Sequence, residues 1–340
     1  MYPGKYAEQN PDRSAFVMAA TGERVSYQEF EARSNRVAHY LADKGLGFQD
    51  HYSIFMENNN RYLESCAAGE RSGLYFTCIN SFLTSDELAY IINNSESQIL
   101  ITSMSKLEAA QEALAQCTAI KEVLVVGAGD ADLPEGMSDF ASTLSKYPET
   151  PLERELLGAA MLYSSGTTGR PKGIVRPLPE QSPNEPLPVI GFLSGLWRYR
   201  EDMIYLSPAP LYHSAPQAAV GLTLRMGGTV VIMERFDPAD YLRFVEEYQV
   251  SHSQLVPTMF SRMLKMPEED RTKYDLSSLE VAVHAAAPCP VLVKQQMIDW
   301  WGPIIHEYYG ATEGLGFAAC DSAEWLAHPG TVGKIVLGEL

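Results

Sequence analysis

The sequence contains little cysteine, little positive charge and no long apolar run. Five cysteines occur among 340 residues, at positions 66, 78, 117, 289 and 320, and no pair of them has the spacing of zinc ligands. They predict reduced thiols in a cytoplasmic protein. The 26 Lys and Arg residues face 43 Asp and Glu residues, and the formal net charge of −17 disfavours nucleic acid as a partner.

The sequence has no segment that predicts a membrane-spanning helix. Its first residues, 1–16, lack the apolar core of a signal peptide, and the longest apolar stretch, Val189–Trp197, is short and interrupted by Gly and Ser. A peripheral membrane contact and a homodimer stay open. The chain length of 340 residues suffices for two or three compact units.

Helix and strand signals alternate along most of the chain. Capping boxes at Ser26–Glu29 and Thr84–Glu87 predict helix starts. We predict strands at 98–102, 122–126, 204–206, 229–233, 252–256, 280–283 and 304–308, and helices at 106–116, 215–225, 238–248, 258–265 and 290–301. This alternation favours an α/β fold of two doubly wound subdomains. The five prolines of residues 176–188 exclude a regular helix or a central strand there.

One loop has the composition of a phosphate-binding site. Residues 163–174, YSSGTTGRPKGI, follow an apolar stretch and combine hydroxyl side chains, glycines and Lys172. Glycine lets the backbone approach an anion, successive N–H groups form an anion-binding concavity, and Lys172 adds positive charge. The spacing is that of neither a Walker loop nor a GxGxxG fingerprint. A polar surface turn is the alternative interpretation.

Three further segments combine residue types that suit a ligand. EYYGATEG at 307–314 ends a predicted strand and offers an aromatic face, a hydroxyl group and the Glu313 carboxylate. PAPLYHS at 208–214 contains His213, and VHAAAPCP at 283–290 contains small side chains that leave room for a ligand. The alternatives are a solvated loop carboxylate, a structural histidine and a tight helix–strand contact.

Together these segments resemble the acyl-adenylate-forming superfamily, which includes acyl- and aryl-CoA synthetases. The resemblance spans nearly the whole chain, and it implies that residues 1–340 form the family's large N-terminal AMP-binding domain, with substructures 1–175 and 189–340. It departs from the family where His284-Ala285-Ala286 replaces the usual glycine pair. The small C-terminal domain and its reactive Lys have no counterpart in the sequence, so we expect weak or no activity from these residues alone.

The resemblance also implies roles for single residues. Lys172, His213, Thr167 and Glu313 would be catalytic, and Glu313 with Thr167 would hold Mg²⁺. Tyr309 would stack on adenine, and His213 would border the reacting carboxylate. The implied nucleotide-binding residues are Ser164, Ser165, Gly166, Thr167, Thr168, Gly169, Lys172, Ala286, Ala287, Pro288, Tyr308, Tyr309, Gly310, Ala311 and Thr312.

The activity implied by the resemblance is that of an acid–thiol ligase. ATP would activate a carboxylic acid, fatty or otherwise bulky, to acyl-AMP, and the full-length enzyme would transfer the acyl group to CoA. ATP, Mg²⁺ and CoA are the implied cofactors. A fatty-acyl-AMP ligase that loads a carrier protein and a non-catalytic nucleotide- or acyl-binding module are the alternatives. The sequence does not identify the acid.

Overall fold

The computed structural model describes residues 1–164, 170–310 and 316–338. The chain divides into two compact units, each built from segments that are distant in sequence. Unit 1 comprises Met1–Ala15, Arg24–Leu187 and Pro210–Arg225, and unit 2 comprises Phe16–Glu23, Pro188–Ala209 and Met226–Leu340. The contiguous division into 1–175 and 189–340 stays a prediction about domains.

The secondary structure alternates as the sequence predicts. The strands are β1 (Ser14–Met18), β2 (Arg24–Ser26), β3 (His51–Phe55), β4 (Tyr75–Cys78), β5 (Ile99–Ser103), β6 (Glu122–Val126), β7 (Met137–Asp139), β8 (Ala159–Ala160), β9 (Leu162–Ser164), β10 (Lys172–Ile174), β11 (Ile204–Ser207), β12 (Thr229–Ile232), β13 (His252–Leu255), β14 (Val281–His284), β15 (Ile305–Gly310), β16 (Gly316–Cys320) and β17 (Lys334–Gly338). The α-helices are α1 (Gly4–Gln9), α2 (Tyr27–Asp43), α3 (Tyr62–Ser72), α4 (Ser85–Asn94), α5 (Leu107–Leu114), α6 (Phe140–Leu144), α7 (Pro188–Trp197), α8 (Ser214–Arg225), α9 (Pro238–Tyr248), α10 (Pro257–Leu264), α11 (Glu268–Arg271), α12 (Val291–Trp301) and α13 (Ser322–Ala327).

Local sequence signals account for several helix boundaries. Both predicted capping boxes form, so the hydroxyls of Ser26 and Thr84 each accept a hydrogen bond from the backbone N–H of the glutamate three residues later. Residues 176–187 contain neither helix nor strand, in agreement with their prolines, and α7 begins at Pro188. Within the described ranges, no helix combines the length and the apolarity needed to cross a membrane.

Unit 1 contains a parallel sheet and a separate hairpin. The sheet has the strand order β7-β6-β5-β3-β4-β8, and its neighbouring strands are parallel. A core of buried side chains that includes Phe55, Ile92 and Leu100 covers one part of it. The strands β9 and β10 pair with each other as an antiparallel hairpin, and they flank the loop of residues 165–171.

Unit 2 contains a mixed sheet in the order β17-β16-β15-β14-β13-β11-β12-β1. The neighbours from β1 through β15 are parallel, whereas β16 is antiparallel to both β15 and β17. In the register of β1 with β12, Phe16 pairs with Val230. Phe260, Met297 and Trp325 belong to the buried core of this unit. The parallel strands and covering helices confirm the predicted α/β class.

Candidate active site

The hairpin of unit 1 holds both ends of the loop rich in glycine and hydroxyl groups. In its register, the Cα of Lys172 lies opposite that of Ser164, and Gly173 lies opposite Tyr163. Lys172 therefore stands at the base of the loop, with an exposed side chain. Residues 165–169, which include the predicted phosphate-binding Thr167, lie outside the described residues, so their contacts stay predictions.

Helix α4 anchors both flanks of this loop. On the β9 side, Tyr163 Oη donates a hydrogen bond to Asn94 Oδ1 over 2.7 Å. On the β10 side, Tyr90 Oη donates to the Pro171 carbonyl over 3.1 Å, and the Arg170 guanidinium lies 5.0 Å from the Tyr90 ring centroid. Tyr90 and Asn94 are four residues apart, so they lie on the same face of the helix. The loop ends are thus fixed to one rigid element.

Gly173 lets the hairpin strands pack closely. A Cβ at this position would lie 2.4 Å from Met161 Cε and 2.9 Å from Tyr163 Cζ. Both distances are shorter than van der Waals contact, and the Tyr163 ring is already fixed through its hydroxyl. A larger residue here would have to displace the end of the Met161 side chain and the Tyr163 ring, so glycine fits with the least disturbance of the hairpin.

His213 lies directly before helix α8 in unit 1. Two residues earlier, the Leu211 N–H donates to Asn58 Oδ1 over 2.9 Å, which fixes the preceding turn. The His213 ring is exposed and lies 4.4 Å from the Tyr212 ring, measured between centroids. Desolvation of its covered part lowers the pKa of His213 below its ordinary value of 6.5. The imidazole is therefore neutral at pH 7 and can donate one hydrogen bond and accept another.

Two predicted nucleotide-binding segments meet at one edge of the sheet in unit 2. They follow or end the neighbouring parallel strands β14 and β15, whose carboxyl ends point the same way, and His284 lies opposite Glu307 in their register. The residues exposed at this edge include Ala286, Ala287, Pro288, Tyr309 and Gly310. This is the edge at which doubly wound sheets bind ligands.

Ala286 has a backbone conformation that favours glycine. Its φ angle is 74°, in the left-handed region, where a Cβ is sterically disfavoured. The sequence places alanine where the resembling family usually has glycine, and the backbone nevertheless keeps the conformation that glycine adopts easily. Such local strain is concentrated in functional segments of proteins.

The two tyrosines of β15 have different surroundings. Gln254 Nε2 donates to Tyr308 Oη over 2.8 Å, and the Tyr308 ring stacks on Phe317 with 4.9 Å between centroids and 14° between planes. Tyr309 is 56 % exposed. Its ring is therefore accessible to a planar ligand, whereas that of Tyr308 is packed against the sheet.

Sequence reasoning missed a buried ionic cluster directly behind this edge. Lys294 Nζ, in the first turns of α12, lies 2.5 Å from Glu307 Oε2, and Lys294 is fully buried. His284 Nε2 lies 3.4 Å from the same oxygen. Burial, with a smaller contribution from the Lys294 charge, lowers the pKa of His284 to about 3, so its ring is neutral. The sequence offered only a weak signal, since Lys294 lies in a predicted helix and Glu307 in a predicted strand that both contain other polar residues.

The described residues include only some of the side chains that were predicted to bind MgATP. They contain no group of three or more His, Cys, Asp or Glu side chains placed to hold a metal ion. The predicted Mg²⁺ ligands Thr167 and Glu313, with Ala311 and Thr312, lie outside the described residues. The exposed Lys172 and the accessible Tyr309 ring match the charge of a polyphosphate and the planarity of a purine, respectively.

Comparison with known proteins identifies several CoA ligases. The chain is 28% identical over 282 residues to 4-coumarate–CoA ligase 1 of Petroselinum crispum. This match covers 82% of this chain and 50% of that protein. It is 27% identical over 291 residues to a medium/long-chain-fatty-acid–CoA ligase of Mycobacterium tuberculosis, covering 82% and 49%. The chain thus spans about half the length of these curated relatives.

Solved structures share the fold. A long-chain-fatty-acid CoA ligase of Rhodopseudomonas palustris, described as putative, has a TM-score of 0.80 at 21% identity, covering 98% of this chain and 80% of that one. ATP-bound MatB of the same organism has a TM-score of 0.76 at 25% identity, covering 99% and 64%. A profile of the family described as AMP-binding enzyme matches residues 5–339. The resemblance inferred from the motifs is confirmed, and this chain belongs to the AMP-binding enzyme family.

Proposed function

We propose that this chain binds ATP and activates a carboxylic acid as its acyl-AMP. The observation that carries the proposal is the anchored hairpin: α4 fixes both flanks of a loop rich in glycine and hydroxyl groups, and Lys172 stands at its base. Family membership and the exposed Tyr309 at the edge of the sheet in unit 2 support it.

The proposed reaction joins the acid to the α-phosphate of ATP. A carboxylate oxygen attacks the α-phosphorus, a new O–P bond forms, and the bond to the leaving pyrophosphate breaks. Lys172 and the hydroxyls of Thr167 and Thr168 would neutralise charge on that pyrophosphate. Mg²⁺, held by Glu313 and Thr167, would supply further charge neutralisation at the phosphoryl oxygens. The carboxylate is already nucleophilic, so positioning and charge stabilisation are the main tasks of the protein.

His213 would border the acid. Its lowered pKa keeps the imidazole neutral at pH 7, so it can donate a hydrogen bond to the carboxylate without forming an ion pair that would reduce nucleophilicity. A neutral donor orients the attacking oxygen at a smaller desolvation cost than a charged one. The turn fixed by Asn58 holds this histidine at the start of α8.

Transfer of the acyl group to CoA completes the proposed function. The named relatives are ligases of CoA with an aryl acid or with fatty acids, and these names favour a bulky, largely apolar acid and CoA as the acceptor. We expect the 340 residues by themselves to release pyrophosphate slowly, because the resemblance assigns one reactive lysine to a small C-terminal domain.

The test combines ATP binding with pyrophosphate release. Calorimetry would measure ATP affinity, and a coupled assay would measure pyrophosphate release with acetate, octanoate, palmitate and 4-coumarate. We expect ATP binding, faster release with the larger acids, and a loss of about tenfold or more in Lys172→Ala. Lys146→Ala, at another exposed lysine of unit 1, is the matched control. The proposal fails if the wild-type chain does not bind ATP, or if Lys172→Ala and Lys146→Ala behave alike.

A further inference from the structure

The buried ion pair of unit 2 connects the two segments that the proposed function assigns to the nucleotide. Lys294 is the fourth residue of α12, and the chain enters this helix directly from Ala286–Pro288. Glu307 lies in β15, two residues before Tyr309 and on the same face of the strand. The 2.5 Å contact between Lys294 Nζ and Glu307 Oε2 therefore fixes one segment to the other.

Helix stability does not explain this lysine. A positive charge in the first turns of a helix opposes the helix dipole, and a fully buried lysine also pays a desolvation cost. Apolar residues of similar volume commonly replace a buried ion pair without loss of stability. What the pair provides and an apolar contact does not is a defined direction and distance between α12 and β15.

The surroundings make this contact specific. The Lys294 ammonium lies 5.1 Å from the Trp325 ring centroid, on α13. Ser322, at the start of the same helix, exchanges two hydrogen bonds with the backbone of Ile305 in β15. His284 is neutral, so the cluster holds one positive and one negative charge, and Lys294 is the cation that Glu307 contacts. Among the described side chains of this cluster, the charge of Lys294 is therefore offset by that of Glu307.

We infer that Lys294 and Glu307 are positioning residues for the adenylate: through their buried ion pair they set the spacing between the Ala286–Pro288 segment and the exposed Tyr309 ring. This inference rests on the proposed ATP-dependent function. Neither residue touches the nucleotide. Loss of the pair shifts one side of the nucleotide pocket relative to the other, and small displacements at such sites have large effects on binding and rate.

The test separates positioning from stability. Lys294→Met/Glu307→Leu replaces both charges by apolar side chains, so we expect a melting temperature near that of the wild type. ATP affinity should nevertheless fall by about tenfold to a hundredfold, and the KM for ATP should rise while that for the acid changes little. Met297→Ala, one turn later on α12 and also buried, is the control: it should lower the melting temperature and leave ATP affinity unchanged.

A second variant keeps the contact and removes one charge. Glu307→Gln retains an oxygen acceptor for Lys294 but removes its counter-ion, so the melting temperature should fall. Measured below that temperature, the ATP affinity should stay close to that of the wild type, whether or not the double variant folds. The inference is overturned if the double variant binds ATP as the wild type does, or if Glu307→Gln loses as much affinity as the double variant. A wild-type chain that binds no ATP would overturn the proposed function first, and this inference with it.

Discussion

Ala286 shows how one residue of the candidate site depends on backbone geometry. It is an alanine with a φ of 74°, exposed at the carboxyl edge of the sheet in unit 2. The left-handed conformation costs a non-glycine residue about 1–2 kcal/mol. The rest of the fold maintains it because the chain must turn here from β14 into α12. The position therefore tolerates glycine and disfavours branched side chains.

Substitution of Ala286 tests this strain. Ala286→Gly relieves it but adds flexibility to the unfolded chain, and the two effects nearly cancel, so we expect a change within about 0.5 kcal/mol. Ala286→Val should lower the free energy of unfolding by about 1–3 kcal/mol, because a β-branched residue fits poorly at positive φ. Denaturant titration measures both. The neighbouring exposed Ala287 gives the control Ala287→Val, and equal stabilities of the two valine variants would contradict the explanation.

At the scale of elements, helix α4 acts as a platform for the predicted phosphate loop. Its capping box at Thr84 and Glu87 fixes its start, and Tyr90 and Asn94 in its last turns contact the two flanks of the loop. Its apolar residues, such as Ile92, lie in the buried core of unit 1. A helix that is both capped and packed moves little, so the loop ends keep their separation.

Removal of one anchor should affect the loop more than the fold. Asn94→Ala deletes the acceptor of the Tyr163 hydroxyl, and we expect a loss of about 1 kcal/mol in stability together with weaker ATP binding. Asn93→Ala is the matched control, because Asn93 donates instead to the Gln116 carbonyl over 2.9 Å. Calorimetric ATP titration compares the two. Equal ATP affinities would show that this anchor does not position the loop.

At the scale of the whole molecule, buried histidines make stability depend on pH. Burial lowers the pKa of His252 to about 4 and that of His284 to about 3, against an ordinary value of 6.5. Between pH 6.5 and these values the unfolded chain binds protons that the folded chain does not. The free energy of unfolding therefore falls as the pH falls below 6.5.

Each of these two histidines should remove about 2 kcal/mol of stability by pH 5. Urea titrations at pH 7 and pH 5 measure the total change. The variant His252→Gln removes one contribution, so its loss between the two pH values should be smaller than that of the wild type by about 2 kcal/mol. An unchanged pH dependence in His252→Gln would contradict the assignment.

The sequence predicted features that depend on neighbouring residues. The capping residues, the prolines after the hairpin and the strands that carry the candidate segments are read from local spacing, and the family follows from two short motifs. Partners distant in sequence could not be read in this way: the pairing of β1 with β12, the contact of Lys294 with Glu307 and the positive φ of Ala286 depend on register and packing across the unit. The compact units are likewise built from segments that are distant in sequence. The contiguous domain boundaries stay a prediction.

The pairing of Phe16 with Val230 has a consequence for synthesis of the chain. Val230 follows Phe16 by about 200 residues, so at roughly 5–20 residues per second a ribosome needs about 10–40 s before the partner strand exists. During that time the edge of β1 that pairs with β12 has no partner, although its other edge can already pair with β2. Nascent chains of this protein therefore expose one unpaired edge of an apolar strand for many seconds, and a holdase chaperone that covers residues 14–18 should raise the yield of folded protein.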